Sequence, residues 1–107
     1  MVERTIDIEI MQAIIKYVNE VSKHYKIEGI ILFGSYAKGT NCEDSDIDIA
    51  VVSDNFNDDL QEERLNLMRL RRKIDLRIEP HPIRTEEFIK KEDYFIKEII
   101  NTGIKVA

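Results

Sequence analysis

Several residue types are scarce in this chain of 107 residues, and each scarcity excludes a class of protein. The single cysteine, Cys42, excludes an intramolecular disulfide. No apolar run approaches the ~20 residues that a membrane-spanning helix needs, and no signal peptide is visible, so we expect a cytoplasmic protein without a membrane partner. Basic residues are outnumbered, and the net charge of −5 argues against nucleic acid as a direct ligand.

Charge and apolar periodicity are both abundant. Charged residues make up 35% of the chain, and apolar residues recur at regular spacing almost from end to end, which is typical of a soluble, folded protein. The length supports one hydrophobic core, so we predict a single domain over residues 1–107.

The apolar spacing predicts helices and strands in alternation. The strand through Ile78 is expected to stop at Pro80 and Pro82, because proline lacks the amide hydrogen that a sheet requires. The predicted elements are a helix from about Thr5 to Lys26, strands at Ile30–Phe33, Asp46–Ser53 and Ile74–Glu79, a helix from about Asp58 to Arg71, and a last helix from an N-cap at Thr85 to Gly103. The first two strands are joined without a long helix, so we predict a small mixed sheet flanked by helices, in the α/β (α+β) class.

Carboxylates are expected to gather on one face of this sheet. Residues two apart in a strand point to the same side, so Asp46 and Asp48 project together, away from Ile47 and Ile49. The same alternation turns Asp75 away from the core in the next predicted strand. Clustered carboxylates are costly unless a cation lies among them, and Mg²⁺ prefers such oxygen ligands, so two Mg²⁺ ions are expected here.

The acidic segment is consistent with one other interpretation and excludes a second. A solvated strand edge is common and is consistent with the aspartates taken alone. A calcium-binding loop is excluded, because Ile49 stands where that loop needs its turn glycine and Asn55 where it needs its bidentate glutamate.

A glycine turn follows the first predicted strand. Gly34-Ser35 comes directly after Ile30–Phe33, a place where backbone N–H groups can face an anion. The spacing of a P-loop is absent, and a lone Gly-Ser pair is usually only a turn. The Gly-Ser pair becomes informative only in combination with the acidic pair that follows it in the sequence.

Gly-Ser, ten residues and Asp-x-Asp together form one motif, in which GSYAKG begins at Gly34 and SDIDIAVVS begins at Ser45. This motif resembles the signature of the DNA polymerase beta-like nucleotidyltransferase superfamily, and most of all its minimal nucleotidyltransferase (MNT) branch. Members of that branch are short prokaryotic proteins that often accompany a HEPN-domain protein. The resemblance is close over about Ile30 to Ser53 and loose elsewhere.

The resemblance implies roles for individual residues. Gly34 and Ser35 match the turn that holds the β- and γ-phosphates of a nucleoside triphosphate, and Asp46 and Asp48 match the metal-binding pair. A third carboxylate on a later strand completes such a site. Asp75 is the first candidate for it and Glu79 the second. Lys38 in the loop is either a further triphosphate contact or an ordinary exposed lysine.

The resemblance also implies a reaction and a partner. A substrate hydroxyl would attack the α-phosphorus of ATP with Mg²⁺ bound, and pyrophosphate would leave. In MNT–HEPN pairs the MNT protein is the antitoxin, and some members transfer AMP to the toxin, an RNase. We therefore expect a partner protein, or self-association into a homo-oligomer, to complete the acceptor site. The alternative is a binding module that neutralises its partner by occlusion alone.

Three other features have ordinary interpretations. His24 and His81 have no partner at metal-ligand spacing and are expected at the surface. The basic run from Arg69 to Lys73 could dock a partner, but cations are favoured at a helix C-terminus in any case. Tyr36, in the loop, either stacks on a base or packs against the fold.

Overall fold

The structure, a computed structural model, describes residues 6–107. Helices and strands alternate along most of that range, and the second strand follows a single-turn helix in the glycine turn. The elements are α1 (Ile8–Val21), β1 (Ile27–Phe33), α2 (Ser35–Lys38), β2 (Ile47–Ser53), α3 (Leu60–Leu70), β3 (Ile78–Arg84), α4 (Thr85–Lys90), α5 (Tyr94–Thr102) and β4 (Ile104–Lys105).

The strands form one mixed sheet in the order β3-β2-β1-β4. β1 is antiparallel to β2 and to β4, whereas β2 and β3 are parallel. The parallel pair is connected through α3, as a parallel connection requires a long crossover. The predicted mixed sheet flanked by helices is therefore confirmed.

Alternation along β2 sends side chains into two apolar layers. Ile47, Ile49 and Val51 pack in the layer beneath α1 and α3, where Tyr17 and Leu67 are fully buried. On the other face, Ala50 and Val52 pack with Ile31, Ile83, Ile96 and Ile99, in part beneath α5. Asp48 belongs to this second face but lies at the end of the strand, where the apolar layer gives way to polar groups. No helix within residues 6–107 is long and apolar enough to cross a membrane.

The first helix is shorter than predicted at the end that can be compared. α1 begins at Ile8 behind the N-cap Asp7, whose side chain accepts a hydrogen bond from Glu9 N. The predicted start at Thr5 lies outside the described residues. The helix ends at Val21, not near Lys26, and β1 begins at Ile27 and runs past Gly29 with a register shift.

The last predicted helix is two helices. α4 ends at Lys90, and its C-cap Lys91 has a left-handed φ of 56°. α5 then starts anew behind Asp93, which accepts hydrogen bonds from Phe95 N and Ile96 N. Thr85 is the first residue of α4 and not its N-cap, which is Arg84. Gly103 ends α5 as predicted, and the two-residue strand β4 after it was not predicted.

The third strand is displaced from its predicted position. It begins at Ile78 and includes Pro80 and Pro82, so the expectation that these prolines end the strand is wrong. Arg77 O accepts a hydrogen bond from Ile47 N of β2, whereas Ile78 O faces away and accepts one from Arg71. Alternation therefore turns the nitrogens of both prolines to the open edge of the sheet, where a missing N–H costs nothing.

Candidate active site

The glycine turn and the acidic pair meet at one end of the sheet. Gly34 has φ 74° and ψ −151°, a conformation that L side chains rarely adopt. A Cβ atom built on Gly34 would overlap Oδ2 of Asp48. Glycine is therefore required twice, once by its backbone conformation and once by the carboxylate that lies against it.

Asp48 is held in the middle of the sheet. It is the second residue of β2, and its register partners are Phe33, the last residue of β1, and Glu79 of β3. Asp46 precedes β2 by one residue and is exposed, whereas Asp48 is partly buried. The pair thus presents one carboxylate to solvent and one to the enclosed end of the sheet.

The electrostatics of Asp48 are those of a crowded carboxylate. Burial is the main cause that raises its pKa, and the negative charges of Asp46 and Glu79 raise it further. His81 acts in the opposite direction and lowers the pKa. A cation bound beside Asp48 would offset both the cost of burying its charge and the repulsion from the neighbouring carboxylates.

Glu79 is the carboxylate that the sheet register brings to Asp48. Arg64 Nη2 approaches one of its oxygens at 3.4 Å and Arg71 Nη1 the other at 3.3 Å. Arg71 also donates a 2.7 Å hydrogen bond to Ile78 O. Arg71 of the basic run is therefore occupied in holding Glu79, while Arg72 and Lys73 are exposed.

Asp75, the first candidate for the third carboxylate, is not on β3. It lies in the segment before the strand, so the predicted strand position, which would turn it to the face of Asp48, is wrong. Its two oxygens are bound by the side chain of Arg77 at 3.0 and 2.7 Å, and Arg77 N donates to it at 2.9 Å. These hydrogen bonds hold the pKa of Asp75 below its usual range. The structure thus places Asp75 in a turn-closing ion pair and Glu79 next to Asp48.

His81 is the residue of this site that was missed. The sequence predicts His81 at the surface, but its side chain is only 26% exposed. Its Nε2 lies 3.5 Å from Asp48 Oδ1. Burial and the positive charge of Arg64 lower its pKa, which favours the neutral imidazole. The alternation of Glu79 and His81 is a signal in the sequence, but Pro80 between them predicts the end of the strand and so hides it.

The other predicted nucleotide contacts lie around α2. Ser35 is the first residue of this single-turn helix, and Lys38, its last residue, is exposed with Nζ 3.6 Å from Glu98. Tyr36 is partly buried and packs against the core beneath α1, which favours the packing role for its ring. A cleft of about 200 Å³ opens beside the turn, lined in part by Phe33, Gly34, Lys38 and Phe95.

Known proteins share this chain's sequence pattern. The family described as nucleotidyltransferase domain matches residues 14–106. The Methanocaldococcus jannaschii protein named "Putative protein adenylyltransferase MJ0141" is 30% identical over 99 residues, 92% of this chain and 97% of that protein. "Putative protein adenylyltransferase MJ0604" of the same organism is 51% identical over 45 residues, 40% of this chain. This second match spans only 45% of the relative's length.

Solved structures share the fold. A crystal structure described as a putative nucleotidyltransferase from Sulfolobus solfataricus superposes with a TM-score of 0.68, covering 92% of this chain and 79% of that one, at 20% identity. A mutant of the toxin–antitoxin MntA-HpeT superposes with a TM-score of 0.60, covering 90% of this chain and 70% of that one, at 26% identity. The shared architecture is the mixed sheet with its flanking helices.

Proposed function

Because this chain belongs to the nucleotidyltransferase domain family, we propose that it transfers AMP from ATP to a hydroxyl group of a partner protein. The observation that carries the proposal is the contact between Gly34 and Asp48. It joins the two halves of the sequence motif, fourteen residues apart, into one site. A glycine that admits a carboxylate against its backbone has no use in an ordinary turn.

The carboxylates fit Mg²⁺ that arrives with a nucleotide. Within residues 6–107, no three acidic, histidine or cysteine side chains are close enough to hold a metal ion by themselves. Mg²⁺ does not need such a cage, because one or two carboxylates with substrate phosphates and water complete its shell. Asp46 and Asp48 are proposed as its ligands, with Glu79 as the third carboxylate. Two bound ions would neutralise charge at the phosphates and lower the pKa of the attacking hydroxyl.

The chain's own residues would orient the nucleotide. Gly34 is the N-cap of α2 and Ser35 its first residue. The first N–H groups of the helix lack acceptors inside it and can face the β- and γ-phosphates. Lys38 Nζ can reach the same phosphates from the last position of that helix. The acceptor oxygen attacks the α-phosphorus, the bond from that phosphorus to the bridging oxygen breaks, and pyrophosphate leaves. The hydroxyl proton passes to a carboxylate of the site or to water.

The acceptor is proposed to be a HEPN-type toxin that this protein neutralises. Two observations support a protein acceptor and an antitoxin role. The M. jannaschii relatives carry the name "Putative protein adenylyltransferase", and the MntA-HpeT structure, at 26% identity, is described as a toxin–antitoxin. Modification of an RNase by AMP would place a bulky anion on it and block RNA binding by charge repulsion.

The test is to incubate the purified protein and its partner with Mg²⁺ and ATP labelled at the α- or the γ-phosphate. Label from the α-phosphate alone should appear on the partner. Asp46→Asn should abolish the labelling, whereas Asp44→Asn, the same change at an exposed residue two positions earlier, should leave it intact. Transfer of γ-label, or equal loss in both variants, would contradict the proposal.

Occlusion of a partner without chemistry is the second candidate, and an apolar surface favours it. Ile89 is 69% exposed and Tyr94 82%, on the two helices that follow β3. A largely apolar cleft of about 380 Å³ lies on the same side of the sheet, lined in part by Ile31, Val52 and Phe88. If Asp46→Asn and Asp48→Asn neutralise the partner as well as the unaltered protein does, occlusion is the mechanism.

A further inference from the structure

The two oxygens of Asp48 face different neighbours. Oδ2 lies where a Cβ atom on Gly34 would overlap it, at the turn where the triphosphate is proposed to bind. Oδ1 faces Nε2 of His81 at 3.5 Å. One oxygen is thus directed to the nucleotide side of the site and the other to a nitrogen of the protein.

The imidazole of His81 is fixed by two aromatic rings. Its centroid lies 5.0 Å from that of Phe33, edge to face, and 5.8 Å from that of Phe95. Phe33 and Phe95 contact each other edge to face at 5.5 Å. The three rings come from β1, β3 and α5, so the position of His81 is determined by three separate elements.

Nε2 of His81 needs a hydrogen-bond partner. It is buried, and within residues 6–107 no atom satisfies full hydrogen-bond geometry with it. A buried polar nitrogen without a partner is rare and costly. Asp48 Oδ1, at 3.5 Å, is the acceptor in reach, and a small movement of either side chain closes the bond. A carboxylate can only accept, so the proton of the imidazole belongs on Nε2.

We propose that His81 is a positioning residue that donates Nε2–H to Asp48 Oδ1 and holds the carboxylate with Oδ2 at the Gly34 turn. This role of His81 follows from the 3.5 Å approach of Nε2 to Oδ1 and from the two flanking aromatic rings. The role rests on the proposed binding of a divalent cation and nucleotide at Asp48. Groups that orient a metal-binding side chain change metal affinity or activity by 10- to 100-fold when removed, as an order of magnitude. His81 itself touches neither the metal nor the substrate.

Three substitutions separate the donor from the ring. His81→Gln retains an N–H near the position of Nε2. His81→Phe retains a ring between Phe33 and Phe95 but has no donor. His81→Asn has a donor on a side chain that is too short to reach that position. The probe is Mn²⁺ with the non-hydrolysable analogue α,β-methylene ATP, and binding is followed by electron paramagnetic resonance. Circular dichroism and Tm report folding.

We expect roughly 10- to 100-fold weaker Mn²⁺ binding in His81→Phe and His81→Asn, and at most ~3-fold weaker binding in His81→Gln. In the transfer reaction, kcat should fall in the same order, while the KM for ATP changes little. Unaltered binding in a folded His81→Phe, or equal damage in His81→Gln and His81→Phe, overturns the proposal. Should His81→Phe fail to fold, the comparison of His81→Asn with His81→Gln decides by the same criteria.

A spectroscopic measurement keeps this inference separate from the proposed function. Long-range ¹H–¹⁵N NMR of the metal-free protein identifies which imidazole nitrogen carries the proton. We expect the Nε2-protonated form, with resonances that shift in Asp48→Asn, and a proton on Nδ1 overturns the inference. If the unaltered protein binds no Mn²⁺ and nucleotide, the proposed function fails, and the NMR result still decides whether His81 holds Asp48.

Discussion

Asp48 of β2 is the register partner of Glu79 in the parallel strand β3. Side chains at paired positions of neighbouring strands share a face, so the two carboxylates lie on the same side of the sheet. Glu79 forms ion pairs with Arg64 and Arg71. Glu79, the proposed third carboxylate, is therefore already paired with two arginines before any cation arrives.

Exchange of Glu79 for glutamine should reduce nucleotidyl transfer by roughly 100-fold or more, the scale on which loss of one preorganised electrostatic group acts. Asp75→Asn removes the same charge from the turn before β3 and should leave the rate within ~3-fold. Initial rates with labelled ATP check both. A severe loss in Asp75→Asn with full activity in Glu79→Gln would restore Asp75 as the third carboxylate.

Asp75 should contribute to stability through Arg77. Its pKa is depressed in the folded protein, so the stabilisation is present above the unfolded-state pKa of about 4 and is lost as pH falls through the folded value. Asp75→Asn should lower the free energy of unfolding by about 0.5–1 kcal/mol at pH 7, because Arg77 is partly exposed and the ion pair is screened. Urea unfolding over a series of pH values from 7 downwards measures it. The difference should shrink as pH falls below about 4 and vanish once the carboxyl is protonated in the folded protein.

Asp48→Asn should abolish transfer and yet stabilise the fold. The pKa of Asp48 is raised, chiefly by burial, so its ionised form costs free energy at every pH above the folded-state value. Asparagine removes that cost, and we expect a gain of up to about 1 kcal/mol at pH 7 that disappears below the unfolded pKa of about 4. Thermal unfolding at both pH values measures it. A lower Tm at pH 7 would contradict the assignment of a strained, functional carboxylate.

Gly34→Ala should destroy nucleotide binding. The new methyl group must displace the Asp48 carboxylate, and the positive φ adds strain, for a combined loss of roughly 1–3 kcal/mol in stability. Gly39→Ala is the matched control, because Gly39 also has a positive φ, 75°, at the end of α2. The control should lose stability alone. Binding of α,β-methylene ATP by titration calorimetry separates the two, and retained binding in Gly34→Ala would be evidence against the site.

Tyr17→Phe tests the packing of α1 on α3. The fully buried hydroxyl of Tyr17 donates a 2.7 Å hydrogen bond to Leu67 O, and burial raises its pKa. Phenylalanine leaves that carbonyl unsatisfied, which should cost about 1–3 kcal/mol in the free energy of unfolding. Chemical denaturation measures the loss. Nucleotide binding should be unchanged, since Tyr17 lies in the apolar layer opposite Asp48.

Features that depend on neighbours in the sequence were predictable. The acidic pair, the glycine turn and the helical span of α3 follow from periodicity and turn chemistry within a few residues. The split of the last helix was missed because it depends on Lys91, a non-glycine residue in a left-handed conformation. β4 was missed because two residues carry no periodic signal, and the strand exists only through its pairing with β1.

The sequence alone determined that Gly34, Ser35, Asp46 and Asp48 belong to one motif, because their order and spacing are local properties. Only the tertiary structure decided which further residues lie beside that motif in the candidate site. Pro80 and Pro82 can lie in β3 because the backbone groups that hydrogen-bond to β2 belong to the other residues of the strand. The proline nitrogens face the open edge of the sheet, where no N–H is needed. That pairing moves the strand past Asp75, and it brings Glu79 and His81 to Asp48. Contacts between strands that are distant in sequence, and not periodicity, fixed the second half of the site.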